Sequence, residues 1–229
     1  MLENEYISRE ALPGQFIHIQ LDGFTLRRPI SIADTDEQAG TFTILFKIVG
    51  DGTKSLANYE VGKRLDVLGP NGQGFPIDDL HTEASVLLIG GGIGVPPIYF
   101  LAKKLKERNL SVRAILGFQT KDYVFYEEEF KALAETRIVT DDGSYGDRGF
   151  VTNYIAAEGL DRYYACGPFG MLRAVKHSLP DLDGYLSFEE RMACGIGACY
   201  ACVLPVNAGL SYKKVCKDGP VLSAREVVL

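Results

Sequence analysis

The chain has 229 residues, 46% of them hydrophobic and 24% charged, with a formal charge of −6. That length accommodates two compact domains and a small appendage, and the acidic balance excludes nucleic acid and anionic membrane as main partners, because both select basic surfaces. The longest apolar stretch, Val86 to Ala102, is interrupted by Gly90, Gly91, Gly92, Gly94, Pro96 and Pro97, so no membrane span is expected. Met1-Leu2-Glu3-Asn4-Glu5 shows no basic segment followed by an apolar one, and a cytoplasmic location is the expectation.

From Gln15 to Leu68 the pattern is short and β-like. Phe16 to Leu21 alternates, Pro29 to Ile32 is a brief extended run, and Thr41 to Val49 is rich in β-branched and aromatic residues. Turn chemistry separates these runs at Pro13-Gly14, Asp22-Gly23, Gly50-Asp51-Gly52 and Gly69-Pro70-Asn71-Gly72. Residues 1–80 are therefore expected to form an antiparallel Greek-key β-barrel. Arg28-Pro29-Ile30-Ser31 sits on one of its strands, with Leu45-Phe46-Lys47 and Gly52-Thr53 farther along. A flavin dinucleotide needs donors for its ring and positive charge or backbone N–H groups for its pyrophosphate. Arg28 and Lys47 carry charge, Ser31 a hydroxyl, and Gly52-Thr53 the N–H groups that open a short helix. Read alone, this segment is better explained by ordinary surface charges and a turn glycine, and the flavin reading gains weight from its order relative to the other motifs.

At about Glu83 the rhythm changes. Ser85 to Ile89 is a continuous apolar run, as in a strand buried on both faces of a parallel sheet. A helix is expected over 97–108, a strand over 112–117, a helix around 126–135 and a strand over 137–140. A helix near 151–158, a strand over 163–165 and a helix over 170–178 follow. This alternation predicts a doubly wound α/β nucleotide-binding domain over 81–182. Gly90-Gly91-Gly92-Ile93-Gly94-Val95-Pro96-Pro97 lies between the first strand and its helix, where a glycine turn lets backbone approach a pyrophosphate. The strict fingerprint is not met, because Pro97 takes the place of the third glycine. Cys166-Gly167-Pro168 ends the last strand at the carboxyl edge, where such sheets bind ligands. The plainer readings are a helix cap and a small buried cysteine.

Residues 183–229 are expected to be a separate small module. Four of the five cysteines fall here, as Cys194, Cys199, Cys202 and Cys216 in the spacing C-x4-C-x2-C-x13-C. That is the plant-type [2Fe-2S] arrangement. Gly195 and Gly197 keep side chains away from the core and let N–H groups approach its sulfurs. Zinc knots pair their ligands in two close couples; three bunched cysteines and one distant cysteine fit that pattern poorly. Cys166 lies outside this set.

With these motifs in place the chain resembles the ferredoxin-reductase superfamily. More narrowly, it resembles the electron transfer subunits of dihydroorotate dehydrogenase B. The resemblance rests on Arg28 to Ser31, Gly90 to Pro97, Ala165 to Pro168, and above all Glu190 to Cys202. It implies FAD contacts at Arg28, Pro29, Ile30, Ser31, Leu45, Phe46, Lys47, Gly52 and Thr53. Gly90, Gly91, Gly92, Gly94, Pro96, Cys166, Gly167 and Pro168 would then face NAD, with the cluster on the four cysteines. It also implies NAD rather than NADP, and an FMN-containing, dihydroorotate-oxidising partner in a two-plus-two heterotetramer serving pyrimidine biosynthesis. The segment Gly117 to Asp122, with Lys121 beside Asp122, does not itself discriminate the two nucleotides. Two departures from the family pattern bear on the barrel. Relatives carry a further strand before Pro13, so the barrel is expected to be open at its first edge, and Ile30 stands where the superfamily often has an aromatic residue.

A [2Fe-2S] cluster moves single electrons and a nicotinamide takes a hydride, so the flavin is expected between them. No side chain is required as acid or base, and no catalytic residue is assigned. Two alternatives remain: a free-standing iron–sulfur flavin reductase serving another acceptor, and a cluster-based redox sensor without turnover. The first usually carries a full ferredoxin domain with a longer gap before its last cysteine. The second leaves the glycine turn and Cys166-Gly167-Pro168 without a role.

Overall fold

The computed structural model describes residues 1–229. Its N-terminal part is a five-stranded antiparallel sheet built from β1 (Leu2–Glu3), β2 (Phe16–Gln20), β3 (Arg28–Asp36), β4 (Thr41–Ile44) and β5 (Asp66–Asn71), in the order β1-β4-β3-β2-β5. β1 and β5 are edges, so the barrel is a half-barrel, and the only strand before Pro13 is the two-residue β1, paired with β4. Helix α1 (Glu5–Glu10) follows it. Its start is marked by Asn4, whose Oδ1 accepts from the Ile7 amide at 2.9 Å. Helix α2 (Asp51–Ala57) connects β4 and β5. The strand predicted to reach Val49 stops at Ile44, and Leu45 to Val49 run irregularly.

The second part is a seven-stranded sheet of β6 (Ser85–Gly91), β7 (Ser111–Phe118), β8 (Glu135–Thr140), β9 (Asp147–Arg148), β10 (Arg162–Cys166), β11 (Asp183–Ser187) and β14 (Val221–Ser223), in the order β14-β11-β10-β6-β7-β8-β9. All pairs are parallel except β11 with β14. Helix α3 (Val95–Glu107) covers one face, where Val86, Leu88, Ile98, Leu101 and Leu105 are buried together. Helix α5 (Phe169–Ser178) covers the other, with Leu172 and Val175 against Leu87, Ile89 and Ala165. The helices predicted near 126–135 and 151–158 shrink to α4 (Glu127–Lys131) and a single 3₁₀ turn over Val151–Tyr154. Along the parallel strands the order reverses between β6 and β10, the crevice where doubly wound sheets bind ligands.

One expectation about the third unit changes. Asp183–Ser187, placed at the start of the cluster module, is the sixth parallel strand of the α/β sheet. Its five residues alternate polar with small or apolar side chains, so it lacks the apolar run of a central strand. Gly184 is required there, because a β-carbon would lie 2.1 Å from the Tyr163 ring. The segment after it carries the hairpin β12 (Val203–Val206) and β13 (Ser211–Lys214), then returns as β14 to pair with β11. Leu204, Val206, Val215 and Val227 share one buried cluster with Leu87, Ile89 and Leu186. The cysteine segment is thus bonded into the sheet rather than tethered to it.

The units are also welded elsewhere. Phe100 of α3 sits in the half-barrel core beside Ile17, Ile19 and Ile32, and Lys103 Nζ lies 2.5 Å from Asp34 Oδ1 of β3. Arg162, 9% exposed, grips both oxygens of Asp79 at 2.7 and 2.8 Å and Asp183 Oδ2 at 2.7 Å. It ties the chain leaving the half-barrel to β10 and β11. Arg162→Met is expected to cost about 2 kcal/mol, near the middle for a charged hydrogen-bond set and discounted because Asp79 is largely solvated. That corresponds to a Tm lower by about 4–8 °C in a thermal melt of the full chain.

Candidate functional site

A cleft of about 950 Å³ opens where the half-barrel, the glycine turn and the exit of β11 meet. Arg28, Pro29, Ile30, Ser31, Leu45, Phe46, Lys47 and Thr53 line it, so all the candidate flavin residues except Gly52 face one space. Gly52 lies just beneath: a β-carbon there would stand 2.3 Å from Arg28 Nε, so glycine allows the guanidinium to lie across the first turn of α2. Arg28 Nη1 donates to the Leu26 carbonyl, and its guanidinium stacks 4.8 Å from the Phe24 ring. The Thr53 hydroxyl is spent on its own helix, accepting from the Val49 amide at 2.9 Å and donating to the Gly50 carbonyl at 3.0 Å. Of the two, only the backbone N–H groups of Gly52 and Thr53 remain for a ligand. The cleft thus combines positive charge, helix-end N–H groups and apolar walls that include Phe16, Phe46 and Phe188, which fits a flavin dinucleotide. Phe46 supplies an aromatic where Ile30 does not.

Across the cleft, the two nucleotide motifs come together at the reversal of strand order. Gly90 pairs with Cys166 in the β6–β10 register. A β-carbon on Gly94 would lie 2.3 Å from the Cys166 carbonyl oxygen, and one on Gly167 would lie 3.0 Å from Gly91 Cα. Gly91 faces Met171 Sδ and Pro168 in the same way, while Gly92 takes the left-handed conformation at φ 51°. Pro96 is buried at the start of α3, outside the cleft wall, and Ile93 is the residue of this turn that reaches the cleft. Burial, followed by the charge of Glu189, pushes the Cys166 thiol up to about 12, so it stays neutral. Sequence reasoning assigned no role to Ser187, Phe188, Glu189, Glu190, Arg191 and Met192, which form the third wall. Glu190, Arg191 and Met192 belong to the motif that carries the resemblance, and Ser187 to Glu189 had no signal beyond nearness to it.

The four cysteines are unbridged. Cys199 neighbours Cys194, and Cys202 neighbours Cys216. A zinc knot needs all its ligands on one point, whereas a diiron core takes two thiolates at each iron. The loop amides also face sulfur: Gly197 N–H donates to Cys216 Sγ at 3.1 Å and Cys199 N–H to Cys194 Sγ at 3.3 Å. Burial raises the Cys194 thiol, but the amides of Cys199, Ile196 and Ala198 outweigh it and bring the group down to about 6. Gly195 and Gly197 are both left-handed, at φ 70° and 80°, and Lys214 Nζ fastens the loop by donating to the Gly197 carbonyl at 2.9 Å. These donors fit a [2Fe-2S] cluster.

Comparisons with known proteins agree with this geometry. The oxidoreductase FAD-binding domain family matches residues 3–75 and the oxidoreductase NAD-binding domain family residues 88–177. The iron-sulfur cluster binding domain of dihydroorotate dehydrogenase B matches residues 189–228. A dihydroorotate dehydrogenase B (NAD(+)) electron transfer subunit from Bacillus mycoides (strain KBAB4) is 49% identical over 237 residues, covering 100% of this chain and 92% of that protein. Its counterpart in Bacillus cereus (strain G9842) is 48% identical with the same coverage. Among solved structures, a chain of an NADH-dependent reduced ferredoxin-NADP oxidoreductase superposes with a TM-score of 0.89 at 32% identity, covering 99% of this chain and 83% of that one. An Amycolatopsis cytochrome P450 reductase, at TM-score 0.63 and 22% identity over 74% of this chain and 57% of its own, shares the fold. The chain therefore belongs to the family of dihydroorotate dehydrogenase B (NAD(+)) electron transfer subunits.

Proposed function

We propose that the chain links the FMN of a dihydroorotate-oxidising catalytic subunit to NAD+, in the cytoplasm and in pyrimidine biosynthesis, as half of a two-plus-two heterotetramer. The observation that carries this reading is the single cleft walled by all three units, with the nucleotide turn on one side and the cysteine segment on another. When bound, FAD supplies a centre able to exchange single electrons with a [2Fe-2S] cluster and a hydride with a nicotinamide.

The chain's own residues have separable roles in this proposal. Arg28 and the first-turn N–H groups of α2 hold the pyrophosphate, Ser31 and Lys47 bind at the ring end, and Pro29, Ile30, Leu45 and Phe46 exclude water. Gly90, Gly91, Gly92 and Gly94 with Gly167 let backbone form the floor for the nicotinamide, flanked by Cys166 and Pro168. Pro96 starts α3 and fixes the turn. Cys194, Cys199, Cys202 and Cys216 ligate the cluster. The edge beyond β7 and β8 carries Asp122, Asp141 and Asp142 against Lys121, which favours NAD over a 2′-phosphate. The working boundaries stay at 1–80 for the flavin unit, with the α/β unit extended from 81 to 187 and the cluster unit beginning at 188.

The test is co-expression with a dihydroorotate-oxidising flavoprotein. Dihydroorotate-dependent NAD+ reduction and a native mass of two plus two are expected; a complex that reduces NADP+ equally well, or none at all, overturns the proposal. Arg28→Ala is expected to weaken FAD binding about 10–100-fold, the worth of one charge-assisted hydrogen-bond set, measured by flavin fluorescence titration.

A further inference from the structure

Behind the cleft one polar side chain has no partner. His18 lies in the middle of β2 at 0% exposure, and neither ring nitrogen makes a hydrogen bond. Leaving such a group unpaired is unfavourable, and a buried orphan of this kind calls for a physical explanation. Its neighbours on β2, Ile17 and Ile19, point into the half-barrel core. His18 points the other way, on the face it shares with Phe16 of the cleft wall.

Two features fix what the ring touches. The β2–β3 register sets His18 opposite Pro29, inside the Arg28 to Ser31 segment. On its far side, a β-carbon on Gly195 would stand 2.2 Å from His18 Nδ1. Gly195 immediately follows the first cluster cysteine and adopts a left-handed φ of 70°, so absence of a side chain there is what admits the imidazole. The polar groups facing the ring are the backbone carbonyls of Arg27 and Cys194. An imidazole ring always carries at least one N–H to donate. One side chain thus spans from the flavin strand to the loop carrying Cys194.

We propose that His18 is a positioning residue whose ring N–H, unpartnered here but facing the Cys194 carbonyl, donates to that carbonyl when the cysteines close on the cluster and so fixes the cluster loop against the flavin strand β3. The inference rests on the cofactor reading above. Metal ligands are commonly oriented by such outer partners, whose loss costs about 10–100-fold in affinity or activity. A ring that merely filled space would be replaced by an apolar residue of similar size without consequence for the cluster.

The experiment uses the full chain, with iron and sulfide counted first. A native protein without either overturns the cluster reading itself, independently of His18. In the loaded native protein labelled with ¹⁵N-histidine, pulsed EPR of the reduced cluster should show a histidine nitrogen coupling, and its absence overturns the proposal without any variant. His18→Leu should release iron to a chelator about 10–100-fold faster and shift the cluster's g values. His18→Asn, which places an amide donor near the Nδ1 position, should restore both. Native behaviour in His18→Leu, or equal defects in the two variants, overturns the proposal.

Discussion

Replacing Cys202 with serine is expected to abolish electron delivery between the chain and its dihydroorotate-oxidising partner while NADH continues to bleach the flavin. Cys202 is 1% exposed and pairs with Cys216, whose amide faces its sulfur at 3.5 Å. Loss of an outer-sphere partner costs about 10–100-fold, and loss of a direct ligand should exceed that range. The flavin and nicotinamide segments, Arg28 to Thr53 and Gly90 to Pro168, lie on other strands and do not depend on the thiolate. Stopped-flow reduction at the flavin absorbance, beside NAD+ reduction by dihydroorotate in the complex, separates the two halves. If partner-coupled turnover survives in Cys202→Ser, the place given to the cluster is wrong.

The second large effect is expected from the smallest possible substitution. Gly94→Ala places a methyl 2.3 Å from the Cys166 carbonyl oxygen and 2.6 Å from the Gly167 nitrogen, backbone atoms that cannot rotate away. Gly94 itself has an ordinary φ of −78°, so the penalty is pure collision. Either α3 or the end of β10 must shift, at about 1–3 kcal/mol for overpacking. A displacement of about 1 Å between the turn and the Cys166-Gly167 floor can cost about 100-fold in rate. NADH-dependent flavin reduction should fall accordingly, with FAD content unchanged. Gly170→Ala is the matched control, because nothing lies within 4 Å of its β-carbon position; helix α5 should be unaffected or slightly more stable. Equal rates in the two variants would remove the turn from the nucleotide site.

Both predictions draw on motifs that are legible in one dimension, because each is local chemistry. The bunched cysteines need only a short loop to reach one core, so C-x4-C-x2-C announces itself from spacing. The strand, glycine turn and helix at Ser85 to Glu107 are a local pattern too. Elements failed where length or context was decisive. Helix α1 was missed although Asn4 marks its start. The helix near 151–158 is one 3₁₀ turn, and the strand expected to reach Val49 gives way to an irregular segment lining the cleft.

What the amino-acid order determined by itself is the inventory: three chemistries, their sequence along the chain, and the residues able to perform them. Only the tertiary structure decided which of them meet. Gly94 and Cys166 are brought together by parallel register between β6 and β10. β11 joins the α/β sheet because Gly184 clears the Tyr163 ring, and β14 then bonds the cysteine segment to it. Glu189 faces the cleft for the same reason, and His18 reaches Gly195 across most of the chain's length. Such pairings arise from register and close packing between distant segments, which no local periodicity encodes.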